Sequence, residues 1–92
     1  MRIDLLLKYL CLVKSRSAAK SLCEKGGVLI GERAVRPSAA VKEGDRLTIV
    51  KGSETLEIKV LRIPDRQLSR AFAPDYYERI SWTSSEEMDV DI

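Results

Sequence analysis

The chain has 92 residues, 45% of them hydrophobic and 33% charged, and a net charge of +2. That is one small domain, close to the lower limit for a single core. It is too apolar to be disordered, and no apolar run approaches the ~20 residues of a bilayer span. There is no histidine, and the two cysteines, Cys11 and Cys23, form neither a disulfide framework nor a metal-ligand spacing, which argues against zinc sites and histidine acid–base chemistry.

The opening segment, Met1-Arg2-Ile3-Asp4, breaks its apolar stretch with Asp4 and Lys8, unlike a signal peptide. A soluble, cytoplasmic chain with no membrane association is expected. In "RIDLLLKYLCLV", Ile3, Leu6, Leu7 and Leu10 follow the i, i+3, i+4, i+7 stripe of an amphipathic helix. Asp4 and Lys8 are spaced for an i,i+4 ion pair. A second helix is predicted from about Ser15 to Lys25, with Ala18, Ala19, Leu22 and Cys23 on its apolar face. Gly26-Gly27 supplies its left-handed stop.

"VLIGERAV" reads as a β-hairpin whose Gly31-Glu32 centre suits a type II′ turn. A loop around Pro37 and a turn at Glu43-Gly44-Asp45 lead into a strand from Arg46 to Lys51. Gly52-Ser53 turns the chain into a second alternating strand, "TLEIKVLRI", which Pro64 ends. Two packed helices followed by a small, mostly antiparallel sheet make an α+β domain over residues 1–63. Residues 64–82 form a short C-terminal extension with weak helical signals in "RQLSRAF" and "DYYERI". The acidic stretch 83–92 lacks periodicity and is expected to be disordered.

Residues 1–51 hold eleven Lys/Arg against five Asp/Glu, and residues 52–92 hold five against nine. The basic half faces either an anionic partner or only solvent. The start of the second helix is the telling place. A helix N-terminus carries about +0.5 of an elementary charge, so stability favours carboxylates there. Here Lys14, Arg16 and Lys20 surround it instead. Backbone N–H groups, serines and cations in one place make a phosphate site, through oriented donors and through charge. Arg2, Lys25, Arg33, Arg36 and Lys42 extend this patch if the hairpin folds back on the helix pair. With Tyr9 the only aromatic residue of the basic half, base stacking is a poor candidate for the main binding mode. Backbone and shape recognition of folded RNA fits better. No carboxylate pair, phosphate loop or activated cysteine is evident, so neither catalysis nor a metal or cofactor is expected.

The order of these motifs is itself informative. An Arg-apolar-Asp opening, a Lys-Ser-Arg-Ser-Ala-Ala turn into the second helix and Gly-Val into a hairpin occur in sequence. Arg-Pro-Ser and Lys-Glu-Gly-Asp turns follow, the whole spanning residues 2–50. This segment resembles the S-four-type RNA-binding domain, first known from a small-subunit ribosomal protein. Stand-alone members of the heat-shock and bacterial ribosome-associated quality-control type are the most similar, and the short acidic tail favours the latter. The resemblance implies a monomeric, non-enzymatic protein that docks on structured rRNA and tRNA of the large ribosomal subunit carrying a stalled nascent chain. It implies Arg2 and Arg16 as leading RNA contacts, with Asp4 positioning the opening turn and Lys14, Ser17, Lys20, Arg33 and Arg36 in support. Gly31-Glu32 stands where the family usually carries Asn-Gly. Two competing readings are an adaptor that binds a protein through Tyr76, Tyr77, Trp82 and the tail, and a subunit that delivers RNA to a modifying enzyme.

Overall fold

A computed structural model describes residues 1–84. Helix α1 spans Ile3–Tyr9 and α2 spans Arg16–Glu24. Strands follow at Val28–Ile30 (β1), Arg33–Ala34 (β2), Arg46–Lys51 (β3), Glu54–Val60 (β4) and Tyr77–Ser84 (β5). All five form one antiparallel sheet in the order β2-β1-β3-β4-β5. Two helices against a small antiparallel sheet is the expected α+β arrangement. Among the described residues no helix is long and apolar enough to cross a membrane.

The predicted stripe of α1 is the centre of the core. Ile3, Leu6, Leu7 and Leu10 are buried against Val28, Leu47, Ile49, Ile58 and Val60 from one face of the sheet, with Ala19 and Cys23 from α2. Each such aliphatic side chain contributes about 1.5–3 kcal/mol of burial. Ala18 departs from the expected apolar face of α2 and is exposed.

Both helices end in a paired Schellman arrangement. In α2 the N–H of Gly27 donates to Leu22 and that of Gly26 to Cys23, each at 2.9 Å. In α1 the N–H of Leu12 donates to Leu7 and that of Cys11 to Lys8, each at 3.0 Å. The left-handed position is filled by Gly26 in α2 but by Cys11, at φ 61°, in α1. Gly31 has φ 63° while Glu32 is not left-handed, which fits the expected type II′ hairpin rather than type I′.

The C-terminal segment is more integrated than its sequence indicates. After Pro64 the chain runs beneath the end of α1, where Gln67 Nε2 donates to the Lys8 carbonyl at 3.0 Å and Leu68 N–H to that of Tyr9 at 3.2 Å. A single 3-10 turn at Ala73–Tyr76 then leads into β5, which pairs with β4 along its length. Thus only Asp75 and Tyr76 of "DYYERI" belong to a helical turn and the other four residues are strand, while Thr83 and Ser84, grouped with the acidic tail by composition, are the last residues of β5. The rest of that tail, 85–92, lies outside the described residues. The alternation that marks a strand is broken in β5 by a bulge. Ser81 pairs with Glu57 and Arg79 with Ile58, leaving Ile80 as the extra residue.

Gly27, between α2 and β1, is packed tightly against the backbone of β3 and of α2. Its carbonyl accepts from Val50 N–H at 2.7 Å, and a Cβ there would lie 2.8 Å from the Val50 carbonyl oxygen and 3.2 Å from that of Leu22. Both obstacles are backbone. Gly27→Ala is therefore expected to destabilise the fold by about 1–3 kcal/mol, as an overpacked site does, read from the midpoint of urea unfolding.

Candidate nucleic-acid interface

The N-terminal segment is pinned before α1 begins. Ile3 N–H donates to the Ala39 carbonyl at 2.9 Å, Asp4 N–H to that of Pro37 at 3.2 Å, and Val41 N–H to that of Met1 at 2.9 Å. These bonds fix Arg2 and Asp4 against the loop that carries Arg36 and Lys42. Asp4 then turns inward, with its side chain only 2% exposed.

A buried carboxylate needs compensation. Arg2 supplies it through two parallel bonds, Nε to Oδ1 at 3.2 Å and Nη2 to Oδ2 at 3.0 Å. Arg16, the first residue of α2, approaches the same Oδ2 with its Nε at 3.5 Å. The expected Asp4–Lys8 pair does not form, because Asp4 faces α2 and not the solvent side of its own helix. Burial alone raises the Asp4 pKa. The Arg2 hydrogen bond and charge, the Leu5 N–H and the Arg16 charge outweigh it and hold the carboxyl below its usual value.

This arrangement explains the cations at the start of α2. The helix has no acid in its own first turn, and Ser15 caps it by accepting from Ala18 N–H at 3.0 Å. The carboxylate beside that end comes from α1. The two guanidiniums share one carboxylate, and each remains 49% exposed. With Ser17 and Lys20 they line a shallow depression of about 260 Å³. Two arginines and a lysine around one carboxylate leave net positive charge facing solvent, the arrangement a phosphate requires.

The remaining nominated residues fall in three places. Lys14 and Lys25 lie on the far edge of α2, in a separate depression shared with Lys51. Arg36 and Lys42 are exposed on the loop that pairs with the N-terminal segment. Arg33 sits on β2, the outer strand of the sheet, and no ion pair ties it to the Arg2–Arg16 cluster among the described residues. The hairpin does not fold back over the helices. Its turn borders Arg46, Thr48 and Glu57 on the open face of the sheet. Lys8, Lys51 and Arg70, which no motif of the sequence marks as part of the patch, gather beside Lys14. Sequence order conceals this, since Arg70 belongs to the acidic half.

Burial bears on two further groups of residues. Burial, then the nearby Asp4 charge, pushes the Cys23 thiol pKa up, which disfavours the thiolate a nucleophile needs. Tyr76 and Tyr77 pack against the core, so of the aromatic trio offered for an adaptor only Trp82 is well exposed.

The Asp4 clasp has a defined pH signature. Its folded pKa lies below 3.8, so it stabilises the fold fully above that value and the contribution is lost as pH falls through the folded pKa. Asp4→Asn is expected to cost about 1–3 kcal/mol near neutrality, because both arginines lose a charged acceptor. The difference from wild type should stay constant well above pH 3.8 and shrink below it, in urea melts across a pH series.

Comparison with known proteins places the chain in a family. The S4 domain model matches residues 1–47. The RQC P-site tRNA stabilizing factor of Streptococcus pneumoniae is 33% identical over 87 residues, 95% of this chain and 98% of that protein. Its counterpart in Halalkalibacterium halodurans is 32% identical over 65 residues, 71% of this chain and 74% of that protein. The trimeric structure of Vibrio cholerae heat shock protein 15 shares the fold, with a TM-score of 0.83 at 24% identity over 99% of this chain and 91% of that one. Pinned opening arginine, buried aspartate and cation-led second helix thus lie inside a matched segment, and the chain belongs to the S4 domain family, among the RQC P-site tRNA stabilizing factors.

Proposed function

We propose that this chain is a non-enzymatic RNA-binding protein of bacterial ribosome-associated quality control. It docks on structured rRNA and tRNA of the large subunit carrying a stalled nascent chain. The observation that carries this reading is the Arg2–Asp4–Arg16 clasp, two half-exposed guanidiniums preset beside a helix N-terminus by one buried carboxylate. The relatives, as P-site tRNA stabilizing factors, supply the ligand class, and the match to the S. pneumoniae factor runs nearly end to end.

Arg2 and Arg16 are the leading phosphate contacts, and Ser17 and Lys20 complete the depression. Lys14 and Lys25 extend the cationic surface around α2, while Arg36 and Lys42 border it on the loop side. Asp4 does not touch RNA. Its part is to remove the rotamer freedom that free arginines lose on binding, so less of the interaction energy is spent on ordering them.

Arg2→Ala and Arg16→Ala are each expected to weaken co-sedimentation with large subunits. Each lost phosphate contact lowers the slope of log affinity against log salt by about 0.7–0.9. Retention should be greater on subunits carrying a P-site tRNA than on vacant ones. Equal co-sedimentation of wild type and Arg16→Ala across the salt series would overturn the assignment.

A further inference from the structure

On the side of α2 away from the clasp lies a trough that the charge tally of the two sequence halves conceals. Its main depression, about 410 Å³, is lined by Lys8, Lys14, Lys51 and Arg70 and by no carboxylate. A second, of about 300 Å³, continues it along α2 and adds Lys25 to Lys14 and Lys51. A third, of about 120 Å³, continues it over the sheet, where Leu12 and Lys51 meet Leu56, Glu54 and Trp82. Lys51 borders all three. None of these residues belongs to the Arg2–Arg16 cluster.

Trp82 is placed there by register. Ile49, Leu56 and Trp82 are successive cross-strand partners on β3, β4 and β5, so they form one row on the face of the sheet that bears the helices. Core packing covers Ile49, while Trp82 at the β5 end stays 44% exposed. It is the only tryptophan in the chain. Glu54 opposes Lys51 across the β3–β4 turn, so the one carboxylate lies at the indole end. The uncompensated cations run the other way, toward Lys14 and Arg70.

A half-exposed indole on a rigid strand beside a run of cations matches the two needs of an unpaired nucleotide. The base gains from an aromatic face, and its phosphates gain from charge. Paired RNA keeps its bases inside the helix and gives the indole nothing to stack on. We propose that this trough holds an unpaired stretch of RNA, with a base on Trp82 and the neighbouring phosphates on Lys51, Lys14 and Arg70. The inference rests on the RNA-binding reading but, apart from Lys14 and Lys25 at the shared edge, uses other residues, and it assigns base stacking a place in a chain with few aromatic residues.

The test uses single-stranded oligoadenylate of about twelve nucleotides at low salt. Binding is followed by anisotropy of a labelled oligomer, and contact by Trp82 emission with the unlabelled one. Saturable quenching that tracks binding is expected. Trp82→Ala should weaken binding by about tenfold or more, as loss of a stacked base does, and Trp82→Phe should keep most of the affinity. The double variant Lys51→Glu, Arg70→Glu should weaken binding and flatten its salt dependence. Absence of binding, binding with unchanged Trp82 emission, or indifference to the charge reversal would each overturn the proposal. Ribosome co-sedimentation of Arg16→Ala decides the primary reading independently, so either can fail alone.

Discussion

One carboxylate organises the candidate interface of this molecule. Among the described residues, Asp4 is the only charged side chain that is fully buried. Alone it would be costly, and with a single arginine it would leave that arginine engaged and α2 without an acidic neighbour. With two, the desolvation is compensated and the surplus positive charge is held at the surface. The partnership is unequal. Arg2 is bound through two nitrogens at 3.0–3.2 Å, Arg16 through one at 3.5 Å. Arg2 is therefore the fixed element, and Arg16 keeps more of its guanidinium available to a ligand.

The clasp depends in turn on backbone pinning. Arg2 precedes α1, and it is kept from fraying by the bonds that Ile3 and Asp4 donate to the opposing segment and the one that Val41 donates back to Met1. The other end of α1 is held by the chain after Pro64, where Gln67 and Leu68 occupy the carbonyls of Lys8 and Tyr9. A seven-residue helix is marginal by itself. Here each end is tied to a segment distant in sequence, which converts a weak local element into a rigid mount.

Periodicity made the helices, the hairpin and the β3–β4 pair legible, because Ile3, Leu6, Leu7 and Leu10, and the alternation in β4, follow single clean periods. Strand β5 was not legible. Its bulge at Ile80 shifts the alternation midway, and as an edge strand it exposes most of its residues. The left-handed end of α1 was hidden because Cys11 fills the position where glycine signals a stop. Of the candidate site, the cation-rich start of α2 could be read from local charge alone. The burial of Asp4 could not, since the same residue at the same spacing also suits a surface pair with Lys8. Side-chain direction, set by the packing of α1 on α2, decided between them.

The position of α2 sets the geometry of the candidate interface. Arg16, Ser17 and Lys20 form one edge of the helix, while Ala18, Ser21, Leu22 and Lys25 follow i, i+3, i+4, i+7 along another. The exposure of Ala18 fits this geometry. A small residue on the second edge, beside Lys25, lets a ligand approach the helix closely, where a longer side chain would hold it off. Because the buried Ala19 and Cys23 fix the rotation of α2 against the core, neither edge can be turned inward without exposing apolar surface. The spacing between the two edges is thus set by core packing. An RNA surface that engages both must match a shape and not merely a charge, which gives a small basic domain discrimination that net charge cannot supply.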